Sequence, residues 1–360
     1  MESFDSLNLK FRGRISGINW TFCLGAGLSI GITPSWFELT RQLYNHVFQD
    51  NLDKDNFKKM VDNIGWSFDG IIQTCSNKFL ASGNTLEDFY MLLENILFGS
   101  LKENARKFNL EKELLVAINN PRAVDKKSTI ELANFFETNY GQTSLIKVAK
   151  FFADNIGKFK MPFSIITFNA DTLLHSLIEV FQRRNHFLGP PPHGHPEYYF
   201  STILRPLGRA PDVKIPIYHI HGAIRPLSSR KSINAYDIRD KLIFLEKEYL
   251  SIVTNNGNWP QSLFLFHSQM SKFLLFGLSL SDANLRRWLY QSYSLIDEDL
   301  KKVSKNYRQS PPYIWITKKS TNIKENELLE FGVNHLGLSI GWVDEWDQID
   351  LALSNLLAVK

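Results

Sequence analysis

The sequence predicts an α/β fold in which a doubly wound parallel sheet carries a large helical insertion. After residue 161, apolar runs that end in small or polar residues alternate with segments of helical periodicity, which is typical of parallel sheets. Between the first apolar run and the second, about 120 residues keep helical spacing and show no strand with clear alternation.

The first apolar run, residues 18–24, leads into a glycine segment at 25–29 that reads Gly-Ala-Gly-Leu-Ser. A strand that ends in two glycines lets the next helix bring backbone N–H groups and its positive dipole end against a phosphate. A branched side chain at Gly27 is therefore expected to weaken nucleotide binding while leaving the fold intact. The glycine pattern alone is weak, because tight turns share it and a third glycine falls at no clear position.

Three later apolar runs also end in small or polar side chains. Residues 163–171 end in Thr-Phe-Asn-Ala-Asp, residues 215–222 end in His-Ile-His-Gly, and residues 273–282 end in Gly-Leu-Ser-Leu-Ser-Asp. Open parallel sheets bind their ligands at the carboxyl ends of the strands, so we expect these side chains to share one site with the glycine segment.

Residues 41–160 are predicted to form a helical insertion subdomain, inserted into a sheet domain made of residues 1–40 and 161–360. One helix is predicted to start at Thr85, and the pattern Ser-Thr-Ile-Glu at 128–131 predicts a capping-box start of another. The later chain is predicted to contain proline-rich loops at 189–196 and 206–211.

The composition fits one enzyme-sized unit. With 360 residues, 44% of them hydrophobic and 22% charged, the chain can bury a large core without disulfides. Its two cysteines, Cys23 and Cys75, form no CxxC pair, which excludes a thiolate zinc ribbon. There is no apolar signal core at the start and no stretch of roughly 18 apolar residues, so we expect a cytoplasmic protein without membrane contact.

The net charge of +4 comes from lysines and arginines that are scattered along the sequence. Two short basic clusters, 225–231 and 301–308, fit solvated surfaces or loops better than phosphate contacts. We therefore expect no direct sequence-specific binding to nucleic acid.

Taken in order, the motifs resemble the sirtuin-like NAD-consuming family, and within it the bacterial branch associated with antiphage defence. The matching segments are Gly-Ala-Gly-Leu-Ser, Pro-Ser-Trp, Thr-Phe-Asn-Ala-Asp, His-Gly, Leu-Glu-Lys-Glu-Tyr and Gly-Leu-Ser-Leu-Ser-Asp-Ala-Asn-Leu, at residues 25–29, 34–36, 167–171, 221–222, 245–249 and 277–285. The branch more often has Thr or Gln before the asparagine and an aromatic residue after it. This chain has Phe168 and Ala170 there, a departure that concerns pocket shape.

The resemblance implies a Rossmann-like NAD+ glycohydrolase that releases nicotinamide and ADP-ribose and depletes NAD+ as a toxic defence effector. It implies Asn169 and His221 as the catalytic pair, with Asp171 orienting the asparagine or the carboxamide. The residues implied to bind NAD+ are Gly25, Ala26, Gly27, Ser29, Thr167, Gly277, Ser279 and Asp282. Deacylating relatives carry a four-cysteine zinc module, which this chain cannot build. A protein deacylase and a non-catalytic NAD or ADP-ribose sensor are the alternatives.

These residue types suit NAD+ cleavage. The reaction needs stabilisation of an oxocarbenium-like ribose and delivery of a nucleophile, and it needs no metal or hydride. Asn169 can hold water or ribose hydroxyls without adding an ionisable charge, and His221 can accept a proton near neutral pH. In the alternative structural interpretation, Asn169 and Asp171 are only the loop and N-cap of the next helix, and Ser279 and Asp282 only cap a later one.

Two His-x-His pairs raise a metal alternative. They are His193 with His195, in a proline-rich loop, and His219 with His221. No nearby acidic residue completes a recognisable ligand set, so we expect no metal. Of the second pair, we expect only His221 to line the site and His219 to be a packing residue.

The resemblance also implies partners. Members of this branch are commonly encoded beside an ATPase of the HerA-like DNA-translocase type or another defence protein, and many assemble into rings or stacks. Uncontrolled NAD+ hydrolysis would kill the host, so we expect a homo-oligomer whose helical insertion gates the site.

Overall fold

The computed structural model describes residues 13–189, 199–204, 214–226, 242–254, 258–303 and 311–359. Its strands are Trp20–Leu24 (β1), Ser164–Thr167 (β2), Phe200–Ile203 (β3), Ile215–His219 (β4), Lys272–Phe276 (β5), Tyr313–Lys318 (β6) and Leu338–Val343 (β7). In this part of the chain they form one seven-stranded sheet in the order β3-β4-β2-β1-β5-β6-β7. All neighbouring pairs are parallel, which confirms the predicted doubly wound α/β fold.

Helices connect the strands. Those between β1 and β2 are Trp36–Phe48 (α1), Lys54–Ile64 (α2), Phe68–Ala81 (α3), Leu86–Lys107 (α4), Glu111–Asn119 (α5), Lys126–Tyr140 (α6) and Ser144–Asn155 (α7). The later ones are Leu173–Leu188 (α8), Glu246–Thr254 (α9), Trp259–Met270 (α10), Ala283–Val303 (α11), Ile323–Val333 (α12) and Ile349–Leu357 (α13). Not one of these helices combines the length and the apolar character that crossing a membrane requires.

Capping side chains fix where these helices begin. Oγ1 of Thr85 accepts the N–H of Asp88 at 3.1 Å, and the Asp88 carboxylate accepts the N–H of Thr85 at 2.9 Å, so α4 starts with a capping box. The predicted capping-box start at Ser128 is wrong. Helix α6 begins earlier, because the carboxylate of Asp125 caps it and accepts the N–H of Ser128 at 2.9 Å.

The central strand is buried on both faces. On one face, Trp20, Phe22 and Leu24 of β1 pack with the helices between β1 and β2 and with α8 and α13. On the other face, Cys23 packs in a second cluster that includes Trp288 and other residues of α10, α11 and α12. This alternation is typical of a parallel strand covered on both sides. The helices of residues 41–160 therefore cover one face of the sheet.

Strands β1 and β5 are neighbours whose following connections diverge. After β1 the chain returns to the sheet as β2 on one side, and after β5 it returns as β6 on the other side. Such a switch point leaves a crevice outside the carboxyl ends of the two strands, where doubly wound sheets bind ligands.

At the switch point, the loops after β1 and β5 touch through glycines. The N–H of Gly25 donates to the carbonyl of Phe276 at 3.0 Å, and the N–H of Gly27 donates to the carbonyl of Gly277 at 2.9 Å. A Cβ on Gly27 would lie 2.8 Å from that Gly277 oxygen. The expectation that a branched side chain at Gly27 leaves the fold intact is therefore wrong, because it would collide with backbone.

We expect Gly277→Ala to destabilise the protein by roughly 2 kcal/mol or more. Gly277 has a φ of +69°, and a Cβ there would lie 2.6 Å from the backbone nitrogen of Leu28. Chemical denaturation gives the free energy of unfolding. Gly99→Ala is the matched control: Gly99 lies inside α4 with open space at its Cβ position, so alanine should stabilise by about 0.5–1 kcal/mol. Equal stabilities of the two variants would contradict the glycine packing.

Candidate active site

The four predicted site segments meet at the carboxyl edge of the sheet. Leu24 of β1 is level with Thr167 of β2 and with Phe276 of β5, and Thr167 is level with His219 of β4. The segments that follow these strands therefore begin at the same height on four adjacent strands. The structure brings them together as the sequence predicts.

Asn169 is fixed from two sides. Its backbone N–H donates to Oγ1 of Thr167 at 3.1 Å, and its side-chain Nδ2 donates to Oγ of Ser29 at 3.0 Å. The side chain is buried, and its Oδ1 has no hydrogen-bond partner in the described part of the chain. Buried acceptors are nearly always paired in folded proteins. This oxygen is thus a positioned acceptor that a ligand or a water can use.

Asp171 shares Ser29 with Asn169. Its carboxylate accepts the N–H of Leu173 at 3.0 Å and is also hydrogen-bonded by the side chains of Ser29 and Asn169. Burial raises the pKa of Asp171, and these hydrogen bonds oppose the rise. The capping interpretation holds in part: the N-cap of α8 is Thr172, and Asp171, one residue earlier, accepts the N–H of the first helical residue. The side chain of Asn169 instead bonds to the glycine segment.

His221 lies in the turn beyond β4, enclosed by aromatic rings. Its ring centroid is 5.1 Å from that of Phe168 and 5.2 Å from that of Tyr249, both edge-on, and its Nδ1 is 3.3 Å from the Tyr249 hydroxyl. Burial lowers the pKa of His221 to about 4, although the carboxylate of Asp282 acts to raise it. The ring is therefore neutral near pH 7 and able to accept a proton.

His219 is closer to the site than the sequence analysis expects. Side chains two residues apart share a face of a strand, so strand alternation could not separate the two histidines. They differ because β4 ends at His219 and a turn follows, in which the N–H of Gly222 donates to the His219 carbonyl at 2.9 Å. His219 is buried, with its Nδ1 3.4 Å from the carbonyl oxygen of Asn169.

The residues after β5 separate into two groups. The Asp282 carboxylate accepts two N–H groups in the first turn of α11, at 2.7 and 3.3 Å, and its charge also acts on His221. Asp282 thus caps α11 and also lies near enough to His221 to affect its charge. Ser279 is exposed, and its Oγ lies 2.7 Å from Oγ of Ser281. Within the described residues, Ser279 forms no hydrogen bond with Asn169 or His221.

The Leu-Glu-Lys-Glu-Tyr motif supplies a group to which motif reasoning gave no role. The Glu248 carboxylate accepts the N–H groups of Phe244 and Leu245 at 2.8 and 2.9 Å, which fixes the start of α9. This places Tyr249 against the ring of His221. Burial raises the pKa of the Tyr249 hydroxyl, so it stays protonated at neutral pH.

Asp69, in the first turn of α3, is a functional candidate that sequence reasoning missed. Its carboxyl group is hydrogen-bonded by the Trp36 side chain, and burial raises its pKa to about 6, with further upward contributions from the charges of Asp282 and Glu246. The helices of residues 41–160 therefore bring a carboxyl group to the neighbourhood of Asp282. No local pattern could indicate this, because the two residues are far apart in sequence.

We expect Asp69→Asn to stabilise the protein above pH 6. Because the pKa is raised from 3.8 to about 6, the native state binds more protons than the unfolded chain between these values. Wild-type stability therefore falls as pH rises through that range. The gain in the variant at pH 7 should be on the order of 1 kcal/mol, since partial exposure reduces the effect.

Thermal denaturation from about pH 4 to pH 8 measures this difference. Asp62→Asn is the matched control, because Asp62 is exposed on α2. That control should follow the wild-type pH profile. If the Asp69 variant is no more stable than wild type at pH 7, the surroundings of Asp69 do not raise the pKa of its carboxyl group.

Cysteine and histidine groups elsewhere do not form a second site in the described residues. There, no three His, Cys, Asp or Glu side chains are grouped as metal ligands. Cys23 and Cys75 are buried free thiols whose pKa values are raised by burial. His193 and His195 lie outside the described residues, as do loop 206–211 and all but the first residue of loop 189–196.

Comparison with known families agrees with this location. A family model described as a SIR2-like domain matches residues 164–336, which is 173 of the 360 residues. The match begins at the start of β2 and includes Asn169, His221 and Asp282. It supports a sirtuin-like family, whose members use NAD+. No curated protein matches the chain.

Proposed function

We propose that this protein is a NAD+ glycohydrolase that releases nicotinamide and ADP-ribose. The observation that carries the proposal is the buried Oδ1 of Asn169, which has no partner in the described residues. The neutral ring of His221 follows the adjacent strand β4. The match to a SIR2-like domain supports NAD+ as the substrate class.

Each group has a role in that reaction. The C–N glycosidic bond breaks, its electron pair leaves on the nicotinamide nitrogen, and a water oxygen bonds to the ribose C1. Asn169 can hold that water or a ribose hydroxyl through Oδ1, and neutral His221 can take the proton that is released. Ser29 and Asp171 are positioning residues, because they hold the opposite end of the Asn169 amide.

Incubation of the purified protein with NAD+ alone tests the proposal. Equal amounts of nicotinamide and ADP-ribose, quantified by liquid chromatography, are expected without any acyl-lysine peptide. Nicotinamide release that requires such a peptide would assign a protein deacylase. Binding of NAD+ with no product, even when the product of an adjacent gene is added, would assign a sensing module.

We further propose that the protein is the toxic subunit of a bacterial antiphage defence system and is controlled by assembly. Residues 41–160 act in this proposal as an insertion subdomain of the domain formed by 1–40 and 161–360. Helix α3 supports a gating role, because it carries Asp69 to the neighbourhood of Asp282. The partners proposed are further copies of this chain and a HerA-like DNA-translocase ATPase or another defence protein.

Light scattering combined with the nicotinamide assay tests control by assembly. A large homo-oligomer with low turnover is expected alone, and faster turnover is expected when the product of an adjacent gene is added. A monomer with full, partner-independent turnover would overturn the proposal.

A further inference from the structure

Arg225 is a guanidinium that the described part of the chain leaves without a counter-charge. It follows β4 by six residues, and its Nε is enclosed and has no hydrogen-bond partner among the described residues. Burial lowers the pKa of Arg225, and no carboxylate in the described residues forms an ion pair with it. An enclosed, unpaired charge is destabilising unless an opposite charge or hydrogen-bond acceptors compensate it.

The backbone around Arg225 is fixed beside the Asn169 loop. The N–H of Ile224 donates to the carbonyl of Ala170 at 2.6 Å, and Nδ2 of Asn119 donates to the carbonyl of Pro226 at 2.6 Å. The charge of Arg225 acts on His219, whose Nδ1 lies behind Asn169. The guanidinium therefore stands on the β4 side of the candidate active site.

Other enclosed arginines of this chain are paired. Arg183 donates to the carbonyl oxygens of Pro121 and Val124, and Arg184 donates to the carboxylate of Glu137. The fold thus supplies acceptors where an arginine serves packing. Arg225 differs, since it has neither kind of partner in the described residues.

The glycine segment gives a second reason to look for a cation here. The N–H groups of Gly25, Gly27 and Leu28 already donate to carbonyl groups of the protein. Those three donors are therefore committed and cannot hold a phosphate while the loop keeps this conformation. Any phosphate bound at this edge of the sheet needs other donors or a positive charge.

Contrary to the expectation from the basic cluster 225–231, we propose that Arg225 is the centre of an anion subsite that binds a phosphate group beside the Asn169 loop. Guanidinium groups pair with phosphate through parallel N–H donors, which suits an arginine to which the described residues provide no acceptor. The phosphate has two sources, the diphosphate of a dinucleotide or free phosphate bound as a separate ligand. Only the first source rests on the proposed function.

The test is the thermal stability of the full chain with and without inorganic phosphate. Phosphate at about 100 times its dissociation constant should raise the melting temperature of wild type by several degrees. Arg225→Met should lose that response and should melt roughly 2–4 °C above wild type without phosphate, because the unpaired charge is gone. Arg225→Lys keeps the charge and should keep part of the response.

Arg183→Met is the matched control. It should lower the melting temperature without phosphate, because it removes hydrogen bonds to Pro121 and Val124, and it should keep the phosphate response. An Arg225→Met variant that melts below wild type and still responds fully to phosphate would overturn the proposal.

Addition of ADP-ribose distinguishes the two sources. If ADP-ribose raises the melting temperature and phosphate adds no further increase, the subsite binds the diphosphate. If the increases caused by ADP-ribose and by phosphate add together, the subsite binds a separate ligand. Both outcomes support the subsite. The readout does not require NAD+ cleavage, so a failed nicotinamide assay would leave this result standing by itself.

Discussion

Asn169→Ala should reduce the rate of NAD+ cleavage by at least ~100-fold, the range found when a preorganised polar group is removed. The variant loses the buried Oδ1 that has no partner in the described residues, and also the bond from Nδ2 to Ser29. Initial rates of nicotinamide release at saturating NAD+ give the loss in kcat.

Asn326→Ala is the control for this variant. Asn326 is a buried asparagine of α12, and both ends of its amide are bonded to the backbone of Ser320, just after β6, at 2.8 and 2.9 Å. It should lose stability and keep its kcat. A fully active Asn169 variant would remove the observation on which the proposed function depends.

His221→Ala should likewise reduce kcat by at least ~100-fold, which is typical of a lost general base. Its low pKa, about 4, keeps the wild-type ring neutral, so wild-type activity should be maintained as pH falls through 6 and should decline only as pH approaches 4. The pH profile of kcat measures this decline at acidic pH, and the profile of the His221 variant should not show it.

His267→Gln is the matched control for His221. Burial lowers its pKa to about 4 as well, but its Nδ1 lies 2.9 Å from Oγ of Ser164, at the start of β2 and hence at the opposite edge of the sheet. It should keep its kcat. His219→Ala should lose far less activity than His221→Ala, since His219 meets the backbone of Asn169. An inactive His219 variant beside an active His221 variant would contradict the assignment.

Sequence patterns located the strand ends because both parts of the signal are local. An apolar run followed by polar residues predicts a buried strand and its exposed end, and the structure places Asn169 and His221 where those patterns end. Boundaries were less accurate. The third predicted run, 215–221, forms a strand only to His219, because a turn begins there.

Contacts between distant segments account for what the sequence did not predict. Strand β3 has four residues at the edge of the sheet, too few to give a periodic signal. The sequence analysis also did not predict helix α10. Its start is marked by the N-cap residue Asn258, which was not recognised as a cap. The sequence predicted that the glycine segment binds a phosphate. In the structure, its glycines leave room for the backbone of Gly277, which lies about 250 residues away in the sequence. Asp69 reaches the site only through helix packing.

The central position of β1 limits how this protein can be divided. The SIR2-like match starts at β2, yet β1 lies between β2 and β5 and pairs with both. A fragment limited to 164–336 would leave two unpaired strand edges in the middle of its sheet, which promotes aggregation. Conversely, residues 1–160 carry the missing strand and most of one covering layer. Co-expression of 1–160 with 161–360 should therefore restore the solubility that 161–360 lacks when it is expressed alone.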